Sequence, residues 1–385
     1  MNFFPIRLKG DKIIWIILLI LTFASVLLVY SSTYQQTIKA GNLLDAITKH
    51  AVFLFVGLVI VYIIHLIPVT QYRKLAPIAL VFSVMLLGLV FVSSGGRAPR
   101  WVLGGRFQPS DAARLIMIVY LAKVLSEGFK NKEEFIIKVL IPIGLVCGMI
   151  INGHTSAVVM IGLTSLMLIF MGTNNRKYLM ITLLAVLLAG LLYFTLKDHL
   201  GRSETAESRV STWWSNTFGK KTVADSTQKS IPRTEDIQAK TAKLAISSVG
   251  VLGKGPGNSK YRATLSEAHN DYIFAIIIEE YGLLGGLIII ALYLILFYRV
   301  ILLIRRCDKV FPMLLLSGLI LMIAIQAFIH IGVSAGGIPV TGQNLPMISK
   351  GGTSIITTSI AFGIILSISR AIEEKELKEK QNVTS

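Results

Sequence analysis

A chain of 385 residues in which 54% are hydrophobic and only 15% are charged lies outside the range of soluble globular domains, which carry about 25% charged residues. The mean hydropathy of +0.69 indicates a protein that is embedded in a membrane for most of its length. The formal net charge of +17 does not indicate a nucleic-acid partner. Much of the basic excess falls in short connections between apolar runs, where the positive-inside rule accounts for it.

Apolar runs divide the chain into about ten candidate spanning helices, each requiring roughly 17–25 residues. In chain order these runs cover residues 13–30, 51–67, 78–92, 112–125, 135–151, 156–171, 178–196, 272–304, 311–334 and 354–368. Several are short as drawn, so their ends are the least certain feature. We predict an all-α polytopic membrane protein, organised as one domain over residues 1–385.

Basic residues predict the orientation of these helices. If the helices alternate in direction, the basic connections at 7–12, 73–74, 130–132, 176–177 and 305–309 and the tail at 371–385 share one side. That side is expected to face the cytoplasm, with both termini. The longest connection, 198–270, then becomes an extracytoplasmic loop before the eighth helix. The charge run of the tail is typical of a solvated helix end or of disorder.

Three segments on the predicted outer side are rich in glycine, proline and polar residues. They are 93–111, 250–271 and 336–354. Non-helical backbone at membrane depth persists only where protein buries it or where it lines a water-filled cavity. These segments therefore predict a shared outer cavity, with simple turn formation as the alternative.

Asp271 lies at the boundary between the longest polar segment and an apolar run. His269 lies two residues before it, and Glu279 and Glu280 lie two turns into the run. A carboxylate held where water meets lipid suits chemistry on a substrate that is itself partly lipid, because a positioned carboxylate can accept a proton from a hydroxyl group. We predict Asp271 as the catalytic residue.

Other ionisable residues are candidates for substrate binding. Arg97, Arg100, Arg106 and Lys350 can pair with phosphate oxygens, or can instead sit at the lipid headgroups. Ionisable groups at membrane depth are costly and usually mark a pathway or site. This makes Lys123 and Glu280 candidates, with a purely structural ion pair as the alternative.

The histidines and cysteines carry weaker signals. His154 is more typical of a packing residue, and His330 is ambiguous. Cys147 and Cys307 lie in or beside apolar runs and are expected to be structural thiols. The chain has no P-loop, Rossmann glycine fingerprint, HExxH or CxxC spacing, which disfavours an ATP-driven function.

Three separated motifs, in this order, resemble the SEDS (shape, elongation, division, sporulation) family. The first joins Arg100-Trp101 to residues 107–110, the second covers 267–275 with 279–283, and the third covers 339–342, 345–346 and 351–354. The resemblance extends over nearly the whole chain. Residues 257–259 and 351–353 are closer to the division branch (FtsW) than to the elongation branch (RodA).

The resemblance implies a ten-helix peptidoglycan glycosyltransferase of the bacterial cytoplasmic membrane. Such an enzyme polymerises lipid II, a disaccharide peptide on undecaprenyl pyrophosphate, on the outer side of the membrane. Its implied partners are a class B penicillin-binding protein transpeptidase, other divisome proteins and membrane lipids. The essential aspartate of the family falls on Asp271, and its outer-loop tryptophan falls on Trp101.

The chain departs from the family pattern in four places. Asp111 and Arg114 stand where the family usually has glutamate and lysine, and 152–156, containing His154, replaces an acidic motif. His330 stands where an asparagine is common, and Lys350 where an aromatic residue or methionine is frequent. Family roles are therefore not transferred to these places.

These residues together suggest a mechanism. Asp271 would act as general base on the acceptor hydroxyl, or would bind a metal that activates it. Arg100, Arg106 or Lys350 would hold the pyrophosphate, Lys123 and Glu280 would shape the cavity, and Trp101 would pack on sugar or lipid. The remaining substrate-binding candidates are Gln108, Ser110, His269 and Thr341.

No organic cofactor is expected. A divalent cation, Mg²⁺ or Mn²⁺, is an option for stabilising the leaving pyrophosphate.

Two other functional classes remain open: a transporter that flips lipid II without chemistry, and a scaffold that recruits division proteins. Within the enzyme class, an elongation-type polymerase is the alternative to a division-type one. A catalytic requirement for Asp271 separates the enzyme from both other classes, because neither needs a base at the outer boundary.

Overall fold

The chain folds into long helices. The computed structural model describes residues 9–40, 43–93, 107–151, 153–173, 175–196, 209–211, 213–215, 234–261, 265 and 270–384, and these ranges contain no β-strand. The helices are α1 (Lys12–Ala40), α2 (Leu43–Leu66), α3 (Val69–Ser93), α4 (Pro109–Glu127), α5 (Lys132–Phe135), a π-helical stretch (Ile136–Leu140), α6 (Ile141–Ile150), α7 (Thr155–Gly172), α8 (Arg176–Leu196), α9 (Thr234–Ser247), α10 (Ile273–Arg305), α11 (Val310–Ser334) and α12 (Gly352–Thr384).

Every predicted apolar run coincides with helix, so the prediction of an all-α polytopic membrane protein is confirmed. Eight of the described helices are long and apolar enough to cross a membrane. The fourth and fifth predicted runs differ from these eight. Helix α4 carries Asp111, Arg114 and Lys123 within its apolar sequence, and the fifth run is divided among α5, the π-helical stretch and α6.

Polar contacts gather at the two ends of the helix bundle. At one end, which we call the terminal side, the start of α1 meets the extension of α12 through Lys9–Glu374 at 3.1 Å and meets α10 through Asp11–Arg299. The same end carries Arg73–Glu127 at 3.2 Å. At the other end, the loop side, the segment 335–351 contacts the first residues of α7 and the residues before α10.

Close packing of α2 against α12 is made possible by glycine. A Cβ atom on Gly57 would lie 2.6 Å from Ser359 Oγ, and one on Gly363 would lie 2.7 Å from Ile64 Cβ. Small residues let helix backbones approach within a membrane, where packing rather than the hydrophobic effect drives association. Helices α11 and α12 are the most buried of the spanning helices, whereas α8 is largely exposed.

Some element ends differ from the prediction. Helix α1 continues to Ala40 rather than ending near residue 30, and α12 continues to Thr384. The tail is therefore a helix end projecting on the terminal side, one of the two predicted forms. The long loop contains α9. Its Ala242 and Ala245 are buried in a cluster with Tyr272 and Ala275 of the α10 region, so one face packs on protein.

Candidate active site

The segment 335–351 forms the floor of the candidate site on the loop side. Gln343 is its central residue: its side-chain Nε2 lies 3.0 Å from His154 Nε2 and donates to Ser156 Oγ at 3.0 Å. The carbonyl oxygen of Gln343 lies 2.7 Å from His330 Nδ1. Ser156 also donates to the carbonyl oxygen of Thr341 at 2.9 Å. Gln343 thereby connects this segment to the start of α7 and to the end of α11.

The first turn of α4 completes the polar cluster around His154. Pro109 occupies the first turn, where its missing N–H costs nothing. Gln108 Nε2 lies 2.8 Å from His154 Nδ1, and Ser110 Oγ lies 3.0 Å from the same atom. Gln108, Ser110, Asp111 and His154 are all buried. The predicted substrate-binding residues Gln108, Ser110 and Thr341 therefore meet at one place, joined by a histidine that the sequence had favoured as a packing residue.

Arg114 is the buried cation of this region. Its guanidinium donates to Gln326 Oε1 at 2.7 Å and lies 3.3 Å from Met160 Sδ. Gln326 in turn donates to the carbonyl oxygen of Asn344 at 2.8 Å. Arg114 Nε has no hydrogen-bond partner among the described residues. A buried charge must be paired and hydrogen-bonded to be tolerated, and Asp111 lies one turn earlier on the same helix.

Helix α11 presents a polar stripe at its loop-side end. Gln326, His330 and Ser334 are spaced four residues apart and therefore lie on one face, and all three are buried. Within the described part of the chain, His330 Nε2 and Ser334 Oγ have no hydrogen-bond partner. The site thus holds donors and acceptors beyond those used in its internal contacts.

Asp271 lies at the edge of this polar region. It belongs to the turn 270–272 immediately before α10 and is half-buried, between the fully buried Tyr272 and the polar loop. Ser349 Oγ donates to the carbonyl oxygen of Asn270 at 2.8 Å and accepts from Leu345 N at 2.8 Å. The turn that carries Asp271 is thereby fastened to the same segment that contacts His154 and His330.

The two glutamates of α10 have different partners. Both carboxylate oxygens of Glu280 lie within 2.7 Å of Ser31 Oγ of α1. Glu279 accepts from Lys254 Nζ at 2.6 Å, from Lys260 N at 2.9 Å and from Ser259 Oγ. Both glutamate side chains are fully buried. The predicted role of Glu280 in shaping the cavity remains a prediction, since its described contacts connect α10 to α1.

Lys123 does not join the candidate site. It is half-buried near the C-terminal end of α4, one turn from Ser126, which lines a cleft on the terminal side. The twelve residues between Asp111 and Lys123 correspond to about 18 Å along a helix. The role of Lys123 in shaping the outer cavity stays a prediction, and no described hydrogen bond joins its side chain to the loop-side residues.

The remaining predicted residues fall in two groups. Lys350 is half-buried at the end of the segment 335–351, on the same side as Asp271. Arg97, Arg100, Trp101, Arg106 and His269 lie outside the described residues. Arg114 and Gln326 were not predicted as site residues. An arginine inside an apolar run is the signal that identifies such a position.

The described side chains offer few ligands for a divalent cation. Within the described ranges, no group of three or more His, Cys, Asp and Glu residues can hold a metal ion. Mg²⁺ differs from Zn²⁺ in usually being bound by one or two carboxylates together with substrate phosphates. A single carboxylate such as that of Asp271 meets this smaller requirement.

The chain matches known proteins over almost its full length. The model of the family described as Cell cycle protein (FtsW/RodA/SpoVE) covers residues 11–374. The probable peptidoglycan glycosyltransferase FtsW of Geobacter metallireducens is 29% identical over 94% of this chain and 95% of its own. The peptidoglycan glycosyltransferase MrdB of Escherichia coli K12 is also 29% identical, over 93% of each chain.

A solved structure has the same fold. It is a chain from a peptidoglycan synthase complex that coordinates polymerization and crosslinking, with a TM-score of 0.71 and 21% identity. The match covers 94% of this chain and 98% of that one. At this identity the likeness establishes the fold.

Proposed function

Because the chain belongs to the FtsW/RodA/SpoVE family of cell cycle proteins, we propose that it is a peptidoglycan glycosyltransferase that polymerises lipid II into glycan strands. The observation that carries the chemistry is the position of Asp271. Asp271 is half-buried, and the turn that carries it is bonded through Ser349 to the segment 335–351, which also contacts His154 and His330. A substrate with a sugar head and a prenyl tail needs such an arrangement, with polar groups next to apolar helices.

The reaction is a displacement at the anomeric carbon of the donor sugar. A bond forms between this carbon and the acceptor hydroxyl oxygen, and the bond between the carbon and the pyrophosphate oxygen breaks. Asp271 accepts the hydroxyl proton as the new bond forms, a contribution of roughly 10²–10⁴-fold to the rate. The electron pair of the broken bond leaves with the undecaprenyl pyrophosphate.

The leaving pyrophosphate requires positive charge. In this proposal Lys350 supplies the positive charge, together with Arg100 and Arg106 of the segment 93–111. Preorganised cations stabilise charge that develops in the transition state. Mg²⁺ or Mn²⁺, when bound by Asp271 and the pyrophosphate, would neutralise part of the same charge. His269 and Trp101 contact sugar or lipid, and Gln108, Ser110 and Thr341 contribute polar groups to the cavity.

The polar loop side faces outward in this proposal. Short basic connections gather on the terminal side, which the positive-inside rule assigns to the cytoplasm. Both termini are then cytoplasmic, in the cytoplasmic membrane of a bacterium, and glycan strands form on the outer surface. An outward-facing site agrees with the proposed partnership, because the polymerase and the transpeptidase must act on the same side of the membrane.

A crosslinking partner is part of the proposal. The structural relative comes from a complex that coordinates polymerization and crosslinking, which supports a class B penicillin-binding protein as the partner of this chain. Equal identities of 29% to FtsW and MrdB relatives do not separate a division role from an elongation role. The motifs at 257–259 and 351–353 favour division, and hence contact with other divisome proteins.

Polymerisation by the purified protein tests the proposal. Full-length protein, with and without its cognate transpeptidase, is incubated with fluorescent lipid II, and glycan chains are separated on a gel. We expect a ladder of products. A parallel assay in liposomes measures movement of lipid II between leaflets, and movement without any ladder would establish transport in place of synthesis.

A further inference from the structure

Helix α10 is broken at Gly282. This glycine has φ of 72° and ψ of −173°, which no helix adopts. The break separates a short helix of residues 273–281, which we call the Asp271 half-helix, from the longer remainder of α10. Every residue from Ile273 to Glu280 is buried. Asp271 precedes this half-helix directly, so whatever fixes the half-helix fixes the catalytic carboxylate.

A stretch of the long loop, residues 250–255, supplies the hydrogen bonds that the break removes. We call it the splice segment. Lys254 N and Gly255 N donate to the carbonyl oxygens of Glu279 and Glu280 at 3.0 and 2.9 Å. On the other side of the break, Leu283 N and Leu284 N donate to the carbonyl oxygens of Gly250 and Val251, both at 3.3 Å. Backbone groups at membrane depth must be satisfied by protein, and here a loop segment does so.

Two glycines make this contact possible. A Cβ on Gly253 would lie 2.3 Å from Gly282 N and 2.4 Å from the Glu280 carbonyl oxygen, and a Cβ on Gly282 would lie 2.1 Å from the Val251 carbonyl oxygen. The atoms in the way are backbone atoms, which cannot rotate aside. Both glycines also have positive φ, a conformation that glycine adopts without the penalty of other residues.

An ion pair fixes the splice segment in register. Lys254 Nζ lies 2.6 Å from Glu279 Oε1, and the glutamate side chain is fully buried while the lysine retains 23% exposure. Ser31 Oγ links the neighbouring Glu280 to Gly257 N, which donates to it at 3.1 Å. The half-helix is thus held by the splice segment on one face and by α1 on another.

We propose that the splice segment, through Lys254–Glu279 and the Gly253–Gly282 contact, is a positioning element for Asp271. It acts on the proposed polymerisation and therefore rests on the proposed function. Displacement of a reacting group by about 1 Å can cost about 10²-fold in rate. A change at Gly253 or Lys254 should therefore lower kcat, whereas KM for lipid II should stay nearly constant because the substrate-contacting residues are untouched.

The test compares Gly253→Ala with Gly257→Ala in the full-length protein. Gly257 also has positive φ, but no atom lies within 4 Å of its Cβ position, so both variants share the conformational penalty and only the first displaces the half-helix. We expect Gly253→Ala to lower kcat about 10–100-fold at unchanged KM, and Gly257→Ala to stay within about threefold. Lys254→Arg should retain most of the rate that Lys254→Met loses, since arginine preserves the ion pair.

Hydrogen exchange of the amides at 273–281 provides a readout that needs no activity. Faster exchange in Gly253→Ala than in Gly257→Ala is expected. Equal exchange in the two variants overturns the inference, and so does faster exchange at unchanged kcat. A wild-type protein that makes no polymer overturns the proposed function instead, while the exchange comparison still decides whether the splice segment holds the half-helix. If the Gly253→Ala protein does not fold, the same comparison is made between Lys254→Met and Lys254→Arg.

Discussion

At the scale of single residues, the site depends on buried polar groups that complete one another. Arg114, Gln326 and the carbonyl oxygen of Asn344 form a chain of hydrogen bonds at 2.7 and 2.8 Å. His154 joins Gln108 and Gln343 in the same way. Such networks are favourable only when every member is satisfied, because an unpaired buried polar group is costly.

Replacing Arg114 by methionine tests this dependence. The change removes the hydrogen bond that Arg114 donates to buried Gln326, and leaving a buried polar group unsatisfied costs about 1–3 kcal/mol. We expect a clearly lower melting temperature in detergent. Arg114→Lys should recover only part of the loss, because a single ammonium group cannot contact both Gln326 and Met160 as the guanidinium does.

Lys123→Met is the matched control on the same helix. Lys123 is half-buried and forms no ion pair with another described residue, so the change should alter the free energy of unfolding by less than about 1 kcal/mol. Equal melting temperatures for the Arg114 and Lys123 variants would contradict a structural role for the arginine.

At the scale of elements, hydropathy predicts where the spanning helices lie along the chain but not which side chains they bring together. The apolar runs predicted α1 to α4, α6 to α8 and α10 to α12, but not α9 or the break at Gly282, since hydropathy reports only where a chain can cross lipid. The neighbours of Lys123 could not be predicted, because hydropathy does not report which side chains a residue will contact. Arg114 was missed for a different reason: its partner Gln326 is 212 residues away, and such a pairing arises only from the packed fold.

The contact between α2 and α12 provides a test at this scale. Gly363→Ala would bring a methyl group to 2.7 Å from Ile64 Cβ and Cγ2, and overpacking of this kind typically costs 1–3 kcal/mol, about the same as one lost core contact. We expect a lower melting temperature. Gly162→Ala in α7 is the control, because no atom lies within 4 Å of its Cβ position. A drop of equal size in both variants would point to helix flexibility in place of packing.

At the scale of the whole molecule, charge separates the two ends of the bundle. The terminal side carries ion pairs between the start of α1, the connection between α10 and α11, and the end of α12, including Lys375–Asp308 and Arg306–Glu376. The hydrogen bond and charge of Lys375 hold the pKa of Asp308 below its ordinary value. The loop side carries the polar region beside Asp271. This asymmetry underlies the assignment of the terminal side to the cytoplasm.

Reporter fusions test that orientation directly. Alkaline phosphatase, which is active only outside the cytoplasm, is fused within the connection 198–270 or after residue 385, and the protein is produced in a bacterial host. The first fusion should be active and the second inactive, because basic connections are retained inside. An active C-terminal fusion would reverse the orientation and place Asp271 on the side away from the growing glycan.

The most direct test of the central claim is the polymerisation rate of Asp271→Asn. Asparagine preserves the size of the side chain and removes the base, so the rate of glycan formation from lipid II should fall by about 10²–10⁴-fold while the melting temperature stays the same. Asp308→Asn, which removes an exposed carboxylate on the terminal side, should retain wild-type activity. Polymerisation by Asp271→Asn within twofold of the wild-type rate would contradict the account.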